Sequence, residues 1–196
     1  IEATANQVNQ FGGYTNMKPA DFTVFVKKIA EKVKFPIANI IFGGDHLGPT
    51  CWTSDTATDA MEKSKQLIES YVAAGFKKIH LDTSMQCVDD LAPLSDETVA
   101  KRAAILCKVA EETAIREFGK SDILYIVGTE VPPPGGAKEE IDTLEVTPVS
   151  NVKETISVHE AEFLAKGLND AWTRVIGLVV QPGVEFDNFT VFKYDE

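Results

Sequence analysis

Basic groups, cysteine and long apolar runs are all scarce in this sequence, and each shortage excludes something. Nineteen Lys and Arg face thirty Asp and Glu, a formal net charge of −11. That is the wrong sign for a protein that grips nucleic acid by neutralising phosphates. No apolar stretch reaches the ~18 residues that a membrane-spanning helix needs. Cys51, Cys87 and Cys107 make an odd set with no C-x-x-C spacing. Neither a disulfide framework nor a structural zinc site is therefore expected, and a reducing cytoplasm is the natural compartment. The G-x-x-x-x-G-K-[ST] loop, a G-x-G-x-x-G after the first apolar run and a G-x-S-x-G elbow are all missing, which removes P-loop phosphotransferases, dinucleotide folds and serine hydrolases of that type.

What is there reads as globular. Hydrophobic residues make up 44% and charged residues 25%, unlike a disordered chain. The length of 196 residues suits one domain. Because the chain starts at Ile1 on an apolar run, and not at Met or a charged leader, it reads as a piece of a longer protein.

Short apolar runs begin near residues 1, 40, 78, 123 and 174, and such runs describe strands buried on both faces. Helical patterns separate them. Phe22, Phe25, Val26, Ile29, Ala30 and Val33 share one face after Pro19. Ala57, Ala60, Met61, Ser64, Leu67, Ile68, Tyr71 and Val72 share another, with Gly75 as the stop. Ser95 is a candidate N-cap for a third helix carrying Val99, Ala103, Leu106, Ala110 and Ala114. A fourth spans residues 151–167, with Ile156, His159, Phe163 and Leu164 facing inward and Gly167 closing it. Alternation of this kind leaves an open doubly wound sheet or a (β/α)₈ barrel. We favour a TIM barrel of which residues 1–196 supply about five consecutive βα units of a single domain. The Pro132-Pro133-Pro134-Gly135-Gly136 stretch is then a loop and not a domain boundary.

Each apolar run ends in residues capable of chemistry. The first ends in Glu2, Thr4, Asn6 and Gln7, the second in Asp45 and His46, the third in His80, Asp82 and Ser84. The fourth ends in Thr129 and Glu130, the fifth in Gln181 with Glu185 beyond. In parallel α/β folds these strand ends open into one crevice. Taken singly, Asp45-His46 reads equally as a loop turn, His80 as a satisfied core histidine and His159 as a structural one. Carboxylates with one or two histidines fit carbonyl chemistry assisted by a metal Lewis acid and a proton-shuttling carboxylate.

The segments Ile1–Met17, Gly43-Gly-Asp-His-Leu-Gly-Pro49, Lys78-Ile-His-Leu-Asp82, Gly128-Thr-Glu-Val-Pro-Pro-Pro-Gly-Gly136 and Val179-Val-Gln-Pro-Gly-Val-Glu-Phe-Asp187 together resemble the Z-type accessory subunits of tagatose-1,6-bisphosphate aldolase. The resemblance covers nearly the whole chain. It implies a TIM-barrel protein of galactitol and N-acetylgalactosamine catabolism, a non-catalytic subunit that supports the stability and full activity of a catalytic class II partner. Similarity to the zinc-dependent class II aldolases implies roles residue by residue. His46 stands where a zinc ligand stands and Asp45 where a carboxylate relays a proton. Glu130, followed by Gly135 and Gly136, matches an acidic strand end, and Asp82 matches the carboxylate of the intervening strand. The match then breaks: where a second zinc histidine is due, this chain offers Gln181-Pro182-Gly183. One histidine and a carboxylate fall short of the three protein ligands of a catalytic zinc.

Two readings follow. In the first the chain is a partner subunit with an inherited pocket, associating with the catalytic subunit or with copies of itself. In the second it is itself a metal-dependent aldolase acting on a phosphorylated ketose. Its catalytic residues are then Asp45, Glu130 and Asp82, its Zn²⁺ ligand is His46, and Glu2, Asn6, Gln7, His80, Ser84 and Gln181 bind the substrate. An older kinase label for such proteins ranks third.

Overall fold

The computed structural model describes residues 1–128, 146–186 and 191–193. Strands β1 (Glu2–Thr4), β2 (Gly43–Leu47), β3 (Lys78–Leu81), β4 (Leu124–Val127) and β5 (Val175–Leu178) form one five-stranded sheet in that order, and every adjacent pair is parallel. A doubly wound sheet reverses its order at a switch point, whereas a barrel wall runs on in sequence. The unbroken order therefore decides between the two architectures that the sequence left open. The crossovers hold α1 (Pro19–Lys32), α2 (Ala57–Ala73), α3 (Asp96–Phe118) and α4 (Val149–Ala165), with the short α5 (Asn169–Trp172) before β5. Beyond the sheet, β6 (Val184–Phe186) and β7 (Val191–Lys193) pair antiparallel, a hairpin that the sequence pattern did not suggest.

Local chemistry accounts for the helix ends. The Ser95 hydroxyl accepts the Thr98 amide at the start of α3, and Thr56 accepts the Asp59 amide at the start of α2, each satisfying a donor that lacks a helical partner. Gly75 follows α2 at φ +89° and Gly167 follows α4 at φ +72°, the left-handed stop expected at both. The core lies between the sheet and α2–α4: Ile79, Leu81, Tyr125 and Val127 meet Leu67, Ile68, Tyr71 and Leu106. Five alanines of α3, at 100, 103, 104, 110 and 114, are buried, and their small side chains let that helix approach closely. Tyr71 stays buried because its hydroxyl donates to the Val8 carbonyl at 2.8 Å, which pins the β1–α1 loop to α2.

Three sequence expectations need correction. The second strand covers Gly43–Leu47, and the apolar run Ile40–Phe42 before it follows a 3-10 turn at Ile37–Asn39. Its glycines are there for room: a Cβ on Gly44 would lie 2.5 Å from Leu47 Cδ1 and 2.7 Å from the Tyr71 ring. On α1 only part of the apolar stripe is covered, since Val26 and Ala30 are buried while Phe25 is 50% and Val33 67% exposed. On α4, His159 and Phe163 face inward, but Ile156 and Leu164 are exposed. Among the described helices α1 packs against α2, and α4 packs against α3 and α5.

Candidate functional site

Strand register builds the site in layers. Glu2, Gly43 and Lys78 are level with one another, and Thr4 is level with Asp45 one step nearer the C-terminal ends. Side chains two residues apart share a face, so Lys78 and His80 point the same way, as do Gly43 and Asp45. Gly43 adds no side chain to the lower layer. Across it Lys78 Nζ reaches Glu2 Oε2 at 3.0 Å and stands 3.6 Å from Asp45 Oδ1.

Asp45 and His46 are consecutive and should point to opposite faces. A break in register between Gly44 and Leu47 prevents this, and His46 sits at φ +49°, a conformation that costs about 1 kcal/mol or more outside glycine. The irregularity turns both side chains toward β3. There they make crossed pairs: His46 Nδ1 lies 2.7 Å from Asp82 Oδ2, and His80 Nδ1 lies 2.9 Å from Asp45 Oδ1. His80 Nε2 donates to the Gly128 carbonyl at the end of β4, 3.1 Å away, and the His46 amide approaches His80 Nδ1 at 3.3 Å. Ser84 Oγ donates to Asp82 Oδ1 at 3.1 Å.

The electrostatics follow from these partners. Burial pushes the Asp45 carboxyl up, but the bond to His80 and the charges of His80, His46 and Lys78 outweigh it and bring it to about 2. Burial likewise lowers His46, yet the bond to Asp82 and the charges of Asp82 and Asp45 raise it above the ordinary histidine value. Asp82 and His80 are buried, Asp45 and His46 half-buried.

A family model described as "D-tagatose-1,6-bisphosphate aldolase subunit GatZ/KbaZ-like" matches residues 1–196. This chain belongs to the GatZ/KbaZ-like family. Among its relatives are proteins of Salmonella dublin and Salmonella enteritidis PT4, both named D-tagatose-1,6-bisphosphate aldolase subunit GatZ. Each is 57% identical over 194 residues, 99% of this chain and 46% of the relative. A crystal structure of a probable tagatose 6 phosphate kinase from Sinorhizobium meliloti 1021 superposes with TM-score 0.85 at 48% identity, over 100% of this chain and 45% of that one. The chain thus spans just under half the length of the relatives that it matches.

Of the residues that the sequence singled out, the structure joins Asp45, His46, His80, Asp82 and Ser84 in one network, with Glu2 a layer below. Asn6 Oδ1 accepts from the Cys51 thiol at 3.1 Å, and Gln7 Oε1 accepts the Thr4 amide at 2.9 Å, closing the turn after β1. Buried Gln181 is tied toward α4 instead, its backbone N–H donating to Thr147 Oγ1 at 2.7 Å and its side-chain Oε1 accepting from the Gly183 N–H. Glu130, Gly135, Gly136 and the Glu185 side chain lie outside the described residues. Sequence reasoning missed Lys78 and the Gly128 carbonyl. The two-residue step from His80 would have found Lys78, but no sequence signal marks a backbone carbonyl.

Proposed function

We propose that residues 1–196 form part of a single barrel domain in the non-catalytic subunit of a class II D-tagatose-1,6-bisphosphate aldolase. In this reading the protein supports the stability and full activity of a separate catalytic subunit in galactitol and N-acetylgalactosamine catabolism. The observation that carries it is the family match over residues 1–196, together with relatives whose names call them aldolase subunits. The partner is the catalytic class II subunit, and the cytoplasm is the compartment where both meet a phosphorylated ketose. No helix of the described residues is long and apolar enough to cross a membrane. The kinase wording of the Sinorhizobium structure is not carried over, because the family model and the named relatives are aldolase subunits.

The test uses the full-length natural protein with Zn²⁺ and tagatose 1,6-bisphosphate. The expected result is no aldol cleavage alone, and a higher rate or longer lifetime when a catalytic class II subunit is added. His46→Ala should leave the rate of that complex within about twofold, since loss of a true acid–base or metal group costs about a hundredfold or more. Ordinary turnover by the chain alone would replace this reading with that of an enzyme in its own right.

A further inference from the structure

We propose that Asp45, His46 and His80 form a binding site for a divalent transition-metal ion of the zinc class, with Asp82 and the Gly128 carbonyl fixing the two imidazoles from behind. This goes beyond the subunit reading and stands whether or not the chain turns anything over.

The directions of the lone pairs define the site. The Gly128 carbonyl can only accept, so His80 Nε2, 3.1 Å away, carries a hydrogen. The His46 backbone N–H can only donate, so the His80 Nδ1 that it approaches at 3.3 Å offers a lone pair. Asp82 is an acceptor at 2.7 Å from His46 Nδ1, which places that hydrogen on Nδ1 and leaves the His46 Nε2 lone pair free. Both lone pairs face one carboxylate: His80 Nδ1 is 2.9 Å from Asp45 Oδ1, and His46 Nε2 is 3.7 Å from Asp45 Oδ2; an ion bound at His80 Nδ1 takes the place of its long contact with the His46 amide. One ligand atom from each of the three residues lies within 4.8 Å of the others. Acceptors at such separations repel unless a cation lies between them, and either a proton or a metal ion supplies it.

The spacing suits a metal. Ligands about 2.0–2.1 Å from a tetrahedral Zn²⁺ lie roughly 3.4 Å apart, and the two contacts to Asp45 bracket that figure. Imidazole held from behind by a carboxylate or a carbonyl is how metal-ligating histidines are oriented. Two nitrogens and a carboxylate favour a borderline ion such as Zn²⁺ over Mg²⁺ or Ca²⁺. Three protein ligands leave the fourth position for water or substrate oxygen. The set differs from the one implied by the class II comparison: Asp45 ligates instead of relaying a proton, and the second nitrogen comes from the adjacent strand. The half-buried left-handed backbone at His46 is then strain retained to aim a ligand. Lys78 Nζ, 3.6 Å from Asp45 Oδ1, opposes the ion, and its pairing with Glu2 draws it aside.

The experiment is a zinc titration of the chelator-stripped full-length protein in competition with a chromophoric chelator. The expected result is one ion per chain. Affinity should fall at least a hundredfold in His46→Ala and in His80→Ala, and about 10–100-fold in Asp82→Asn, the usual loss when an orienting partner goes. Lys78→Met should tighten binding several-fold by removing a nearby cation. His80→Gln can keep a donor to the Gly128 carbonyl while losing the imidazole lone pair, so it should keep its thermal midpoint yet lose zinc. Zinc-edge X-ray absorption of the wild-type complex should show two imidazoles. No zinc binding by wild type, or wild-type affinity in a folded His80→Gln protein, overturns the site. The aldolase assay above is read separately, so either proposal can fail alone.

Discussion

His159 shows what burial does to a single side chain. It is 2% exposed on α4, Nδ1 donates to the Thr155 carbonyl at 2.8 Å, and Nε2 has no hydrogen-bond partner among the described residues. Burial holds its basicity below the ordinary value of 6.5, with the Thr155 bond and Asp96 only partly opposing. The unfolded chain therefore takes up a proton near pH 6.5 while the folded ring resists until lower pH. The stability due to this group is full above pH 6.5 and declines as pH falls toward the folded value. Denaturant midpoints measured across that range should drop more steeply in wild type than in His159→Phe, and equal slopes would contradict the assignment. Gly48 makes a steric prediction at the same scale. A Cβ there would lie 1.7 Å from the Asp82 carbonyl oxygen, so Gly48→Ala must displace the strand end that holds His46. A loss of about 3 kcal/mol or more is expected in chemical unfolding, at or above the upper end of overpacking penalties. Asp45, His46, His80 and Asp82 stood out in the sequence because each ends an apolar run, although Asp45-His46 alone reads equally as a turn and His80 as a core histidine. Their crossed pairing was not legible, since it depends on a register break that no residue pattern announces.

At the scale of elements, the connection from β3 to α3 is held by a buried ion pair. Arg102 on α3 donates to both carboxylate oxygens of Asp90, at 2.9 and 2.5 Å; both side chains are about nine-tenths buried, and Asp90 also accepts the Cys87 amide. The Arg102 bond, with burial opposing, keeps the Asp90 carboxyl below its usual range. Arg102→Leu should cost about 3 kcal/mol because it strands a buried carboxylate, and Asp90→Asn in the same background should recover part of that. Hydrogen exchange at Cys87 is the local readout. The Ser95 cap and the Gly75 and Gly167 stops were legible because Ser and Gly act through their own backbone neighbourhood, whereas the Thr56 cap was missed. The second strand was misplaced because its glycines read as turn punctuation. They serve instead to let Glu2, Leu47 and Tyr71 crowd the backbone, a tertiary cause that sequence cannot display.

For the whole molecule, the order β1-β2-β3-β4-β5 leaves β1 and β5 as the outer strands of the described sheet, with apolar helix surface beside each. Phe25, Ile29 and Val33 form an exposed stripe on α1, and an apolar groove of about 290 Å³ runs beside β5 between Val127, Ile156, Trp172 and Leu178. Relatives about twice as long have further chain with which to cover such surfaces. Residues 1–196 made alone should therefore self-associate with rising concentration in sedimentation runs, and Phe25→Glu with Ile29→Glu should shift them toward monomer. The five parallel strands followed from the alternation of apolar runs, and the β6–β7 hairpin did not. The exposed faces did not, because an amphipathic pattern says that a stripe is apolar and not what lies against it. One imidazole meanwhile touches three strands: His80 on β3, Asp45 of β2 and the Gly128 carbonyl at the end of β4. With the ring 3% exposed, its Nε2 proton should trade slowly with solvent and appear as a separate downfield line in the proton NMR spectrum. That line would serve as a built-in gauge, vanishing when any one of three strand ends works loose, long before the rest of the spectrum changes.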